Sequence, residues 1–113
     1  MGYIQQLLKG LIDPIVLSVI NRLPMYGYQV VKELESKTAG RLKFKGGTIY
    51  PSLLRLEKEG LVTSKWKQIT KGRGRRYYQI TEKGRQSLSS RSAEWHDFCL
   101  TINGLMPRAN TFD

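Results

Sequence analysis

The stretch Lys71–Thr81, KGRGRRYYQIT, sets four cations (Lys71, Arg73, Arg75, Arg76) within six residues, spaces them with two glycines and then turns aromatic. Glycine-punctuated basic residues followed by YYQI predict a loop tip leading into a β-strand. Upstream, LVTSKWKQI (61–69) alternates Leu61, Thr63, Lys65 and Lys67 against Val62, Ser64, Trp66 and Gln68, the pattern of a partner strand. The two runs make a hairpin with a charged tip. Taken alone, such charge also serves to keep an edge strand from aggregating. The elements on either side decide between the two readings.

Before the hairpin, TIYPSLLRLEKEG (48–60) reads as a helix. Thr48 is the expected N-cap, Pro51 falls in the first turn, Ile49, Leu53 and Leu56 form a buried stripe, and Gly60 ends it. Thr48, Ser52, Arg55 and Glu59 share a second, polar stripe. Two further core helices precede it, PIVLSVINRL from Pro14 and MYGYQVVKELESKTAG from Met25 to Gly40. YIQQLLKGLID (3–13) predicts a short amphipathic helix on Ile4, Leu7, Leu8 and Leu11, with Asp13-Pro14 restarting the chain as cap and first helical residue. After the hairpin, Thr81 caps a last helix over residues 82–105, about 36 Å long. Its apolar stripe is Leu88, Trp95, Phe98, Cys99, Ile102 and Leu105.

The order of helices, basic hairpin and long helix predicts a mainly α, α+β fold: a winged helix-turn-helix flanked by N- and C-terminal dimerisation helices. Residues 1–81 form the DNA-binding unit with its N-terminal helix, and residues 82–113 the dimerisation helix and tail. In this plan the helix from Thr48 enters the major groove and the hairpin is the wing. Its cations neutralise phosphates.

Composition agrees. The 113 residues carry a formal charge of +10, and residues 41–76 hold eleven of the nineteen Lys and Arg but two of the nine Asp and Glu. Charge concentrated in this way suits a polyanion, nucleic acid before an anionic membrane surface. A single cysteine, Cys99, precludes an intrachain disulfide and fits a reducing cytoplasm. No apolar run reaches the roughly 20 residues of a membrane span, and the N-terminus lacks the features of a signal peptide. His96 and Cys99 stand at i, i+3, too few ligands for a metal. No catalytic set can be assembled, and no cofactor is expected.

YGYQVVKELE, GGTIYPSLLRLEKEGLV, KGRGRRYYQITEKG and EWHDF resemble, in order and spacing, the PadR family of bacterial transcriptional regulators, from about Asp13 to Met106. The resemblance implies a homodimeric winged-helix repressor on double-stranded DNA of inverted-repeat character, of the small subfamily with a single C-terminal dimerising helix. It puts Tyr28 near the DNA backbone, Thr48, Tyr50, Pro51 and Ser52 on the recognition helix, and Lys71, Arg73, Arg75 and Arg76 in or beside the wing. Lys43, Lys45 and Arg55 complete the expected DNA-binding set, and Ile4, Leu7, Leu8, Leu11, Phe98, Ile102 and Leu105 the dimerisation set. Trp95 matches the tryptophan with which small multidrug-sensing members line a pocket for planar, often cationic effectors. Packing at the dimer interface is its other reading. A non-specific, architectural nucleic-acid-binding module remains an alternative. Of Tyr77 and Tyr78, one should pack inward, and Trp66 should pack across the hairpin.

Overall fold

The computed structural model of the chain describes residues 6–70 and 72–106, with only the backbone of Arg73. Ile4, Lys71 and the Arg73 side chain lie outside the described residues.

Residues 6–8 are helical, a 3-10 turn occupies Lys9–Leu11, and the chain continues directly into α1, Ile12–Ile20. Asp13-Pro14 therefore does not restart the chain. Pro14 sits in the first turn of α1, where its missing N–H costs nothing, and the cap position is Leu11, not Asp13. A two-residue strand, β1 (Met25–Tyr26), precedes α2 (Gly27–Lys37). At its start the Tyr26 amide donates to Gln29 Oε1 at 3.1 Å.

The helix expected to begin at Thr48 is α3, Gly46–Lys58, with Lys45 at its cap. Its far end closes as a Schellman turn. The Gly60 amide donates to the Glu57 carbonyl at 3.0 Å and the Leu61 amide to Leu56 at 2.9 Å, with Gly60 at φ +78.

The hairpin is β2 (Val62–Thr70) and β3 (Arg73–Ile80), antiparallel, in a sheet of order β1-β3-β2. Val62 pairs with Ile80, Ser64 with Tyr78, Trp66 with Arg76 and Lys67 with Arg75. β1 was not expected: Met25 and Tyr26 pair with Tyr78 and Tyr77, a ladder too short to leave an alternating pattern in the sequence. Tyr78 packs inward, as one of the tyrosine pair should, and is 5% exposed.

One core joins the elements. Val16, Leu17 and Ile20 of α1, Val30 and Leu34 of α2, Ile49, Leu53 and Leu56 of α3, and Val62, Tyr78 and Ile80 of the sheet are all buried. The last helix, α4, spans Glu82–Leu105, as the sequence predicts. Its N-cap Thr81 accepts from the Gly84 amide at 2.9 Å, and its start is fixed to the end of α3 by Thr81 Oγ1, which donates to the Gly60 carbonyl at 2.8 Å, and by Lys83 Nζ, which donates to the Glu59 carbonyl at 3.0 Å. Leu88 packs partly against the core, but Phe98, Leu100, Leu105 and Met106 stand in solvent.

Gly84 is where α4 meets the body. A Cβ there would collide with the Leu61 carbonyl oxygen, which is backbone and cannot swing aside. Gly84→Ala is expected to destabilise the fold by about 2 kcal/mol or more, in line with overpacked cores, measured by urea unfolding. Unchanged stability would mean that α4 is not seated there.

Candidate nucleic-acid interface

The orientation of α3 follows from its sequence once Ser52 is placed. Ile49, Ser52, Leu53 and Leu56 stand at i, i+3, i+4 and i+7, the spacing of a single buried stripe, and all four are buried. Ser52 is 0% exposed, so it does not face a DNA groove as the polar stripe implied. Its hydroxyl donates to Asp13 Oδ1 at 2.6 Å, across the junction with α1. Arg55, one turn on, donates to the same carboxylate from Nε (3.1 Å, to Oδ2) and Nη2 (2.8 Å, to Oδ1). The expected stripe of Thr48, Ser52, Arg55 and Glu59 is therefore rotated, in part, into the α1 contact.

The face that does look outward carries Gly47, Tyr50, Pro51, Leu54, Arg55 and Lys58, all exposed. Leu54, 57% exposed, and Lys58 were missed by sequence reasoning. The signal was available: with Ile49, Ser52, Leu53 and Leu56 inside, residues 47, 51, 54 and 58 must share the opposite side. Thr48 is half-buried, in the first turn rather than at the cap. Tyr50 lies against α2, where a Cβ on Gly27 would overlap its ring. The Tyr50 ring packs directly on the Gly27 backbone, in space that any side chain at 27 would take.

The wing is tied to α3 by Arg76. Its Nε donates to Ser64 Oγ at 2.8 Å and its Nη2 to Glu57 Oε1 at 3.2 Å, while Ser64 Oγ donates to Glu57 Oε2 at 2.6 Å. Arg76 is on the inward-facing side of β3 with Tyr78, and its charge is spent on Glu57. The sequence groups it with the other wing cations; it differs from Arg75 in its ion pair, because alternation along a strand puts neighbouring arginines on opposite faces.

Arg75 and Lys67 lie on the other face. The Arg75 guanidinium stacks 4.2 Å from the Tyr26 ring centroid, Lys67 Nζ lies 5.4 Å from that of Tyr77, and the two rings meet edge to face at 5.4 Å. Both residues are exposed. Lys43 and Lys45, before α3, and Tyr28, at the start of α2 beneath Lys32, are exposed too. Trp66, 70% exposed, lies over Gly74, so its packing is across the hairpin and not into the core.

A helix-turn-helix whose second helix shows an exposed face beside a basic β-hairpin is a winged-helix DNA-binding fold. Residues 16–90 match the family described as transcriptional regulator PadR-like, and the chain belongs to that family. It is similar to the crystal structure of a PadR family transcriptional regulator from Eggerthella lenta, at 32% identity and TM-score 0.83, covering 95% of this chain and 91% of that one. A transcriptional regulator from Clostridium thermocellum is also similar, at 30% identity and TM-score 0.83, covering 90% and 96%. The transcriptional regulator YqjI of Escherichia coli is 30% identical over 74 residues, 66% of this chain but 34% of that protein.

Among the described residues no helix is long and apolar enough to cross a membrane. Nor do they contain a cluster of three metal-binding side chains.

The Asp13 junction has a pH signature. Burial raises the Asp13 pKa, but hydrogen bonds from Arg55 and Ser52, with the charges of Arg55 and Arg91, outweigh it and leave the value below the ordinary 3.8. A carboxylate so depressed contributes stability above its unfolded pKa and loses it as pH falls through the folded one. Asp13→Asn should therefore flatten the acid limb of the stability curve between roughly pH 5 and pH 2. Ser52→Ala should cost about 1.5–3 kcal/mol in urea unfolding, the range for a hydrogen bond to a charged group. Ser52→Glu would bury a second carboxylate beside Asp13 and prevent folding, not merely block DNA. A stable, folded Ser52→Glu protein would refute the burial of that side chain.

Proposed function

We propose that the chain is a homodimeric, sequence-specific repressor that binds an inverted-repeat operator. The observation that carries this reading is the outward face of α3, Tyr50, Pro51, Leu54, Arg55 and Lys58, beside a wing with exposed cations. An α-helix fits the major groove, where apolar side chains meet thymine methyl groups and cations meet phosphates or guanine. Arg75, Lys67, Lys43 and Lys45 add sequence-independent attraction to phosphate, as do Lys71 and Arg73 on the sequence reading.

Dimerisation is supported by what the monomer leaves uncovered. Leu7, Phe98, Leu105 and Met106 are each more than half exposed, and Trp95 is 43% exposed. Apolar surface of this extent marks a partner site. Two copies joined through the N-terminal turn and α4 would present two α3 helices to successive half-sites. Leu8, Leu11 and Ile102 are half-buried at the same surface.

A second reading, a repressor that responds to a small molecule, is favoured by a cleft of about 720 Å³ between the N-terminal turn, α1 and α4, lined by Leu8, Leu11, Ile15, Leu88, Trp95 and Phe98. A planar aromatic effector suits its apolar and aromatic lining, with Glu94 also among the lining residues for a cation.

Sedimentation at micromolar concentration should give a dimer; a monomer would remove the inverted-repeat operator with it. In gel shifts, the preferred duplex should outcompete random DNA by roughly a thousandfold or more. Arg75→Ala should weaken all duplexes alike and lower the salt slope by about one. Equal affinity for every duplex would instead make the protein an architectural module.

A further inference from the structure

The Asp13–Arg55 pair leaves half of the guanidinium unused. The carboxylate takes the side edge of Arg55, through Nε and one Nη2 hydrogen. Both Nη1 hydrogens and the second Nη2 hydrogen take no part in that pair, and the side chain is 52% exposed against 20% for Asp13. The free end is a planar fork of two parallel donors. Side chains on a helix lean toward its N-terminus. Arg55 accordingly lines, with Gly47, Thr48 and Pro51 of the first turns of α3, a cleft of about 520 Å³ on the α1 side. Its head thus lies beside the outward face, and the Asp13 contact, buttressed by the buried Ser52 hydroxyl at 2.6 Å, fixes its rotamer.

We infer that Arg55 is a base-reading residue that recognises guanine through O6 and N7 in the major groove, with Asp13 as its positioning residue. This rests on the DNA-binding reading of α3 above. An arginine fork held by a carboxylate matches the two acceptors that guanine alone presents side by side. A phosphate contact is disfavoured on the same geometry, because Asp13 cancels the charge that phosphate would seek. The pair also explains why a carboxylate stands next to a DNA-facing surface at all: its cost in phosphate repulsion is offset by a preorganised reader.

The test is selection from a randomised duplex library with the wild-type protein and with Arg55→Lys, Arg55→Ala and Asp13→Asn, each first confirmed folded by circular dichroism. Wild type should enrich a symmetric motif with a guanine in each half-site. Arg55→Lys keeps the charge but loses the fork. It should erase preference at that guanine alone, by about tenfold or more, with the salt slope of binding unchanged. Arg55→Ala should lose the same position. Asp13→Asn should relax preference there too, although it removes a negative charge and would strengthen a purely electrostatic contact. Arg55→Lys retaining the wild-type profile would overturn the inference, as would an Arg55→Ala variant that lowers the salt slope by about one without changing base preference. Asp13→Asn with full guanine preference would overturn the positioning role. If wild type itself enriched no motif, the sequence-specific reading would fall first and this one with it.

Discussion

A carboxylate at the start of α1 takes a leading part in setting how α3 is turned. Asp13 accepts from Ser52 and from two nitrogens of Arg55, so α3 is gripped on one flank at two successive turns. Ile49, Leu53 and Leu56 then have to enter the core, and Pro51, Leu54 and Lys58 have to leave it. On the other flank, Glu57 holds Ser64 and Arg76 of the hairpin. α3 is thus clamped between α1 and the wing by two polar networks. Hydrophobic burial supplies most of the energy, but it is non-directional; the two carboxylates supply the angle. Each pair is partly exposed, so its net worth in stability is modest. Its geometric consequence is large.

The molecule separates its two unsatisfied surfaces. Exposed cations stand on the wing, on the connector before α3 and at Lys58, with Tyr28, Tyr50, Leu54 and Trp66 exposed among them, whereas Leu7, Trp95, Phe98, Leu100, Leu105 and Met106 form a second, apolar group at the N-terminal turn and along the second half of α4. The long axis of 65 Å reflects how α4 leaves the body after Leu88 and carries its aromatics away from the winged-helix core. Gly84 makes that departure possible, since only a residue without a side chain lets the helix start against the Leu61 carbonyl. A partner subunit on α4 would therefore be felt through the first turn of α4, which is hydrogen-bonded to the end of α3 at Glu59 and Gly60.

Much of this was legible in the sequence where a pattern extends over several residues. The alternation in 61–69, the basic turn and the capped helix from Glu82 are each set by local chemistry, and they appear where the sequence puts them. Two of the failures share a cause: a polar side chain satisfied by a partner far along the chain. Ser52 falls on the core period of α3, yet a hydroxyl is buried only if it finds an acceptor, and that acceptor lies 39 residues earlier. Arg76 looked like one more wing cation until the strand's alternation turned it toward Glu57, 19 residues away. Asp13 had the composition of a helix cap, but the helix had already begun. The short β1 depends wholly on β3 and carries no periodicity of its own. Local signals thus specify elements, whereas the pairing of polar groups between elements specifies which face of α3 is free.

That free face is the central claim, and backbone amide chemical shifts test it most directly. An isotope-labelled sample would be titrated with a duplex recovered by selection and compared with a random duplex. The shifts should change most in Gly46–Arg55 and around the hairpin turn, with smaller changes at Tyr28 and little along Phe98–Met106. Perturbations centred on α4, with Gly46–Arg55 unmoved by either duplex, would contradict the account.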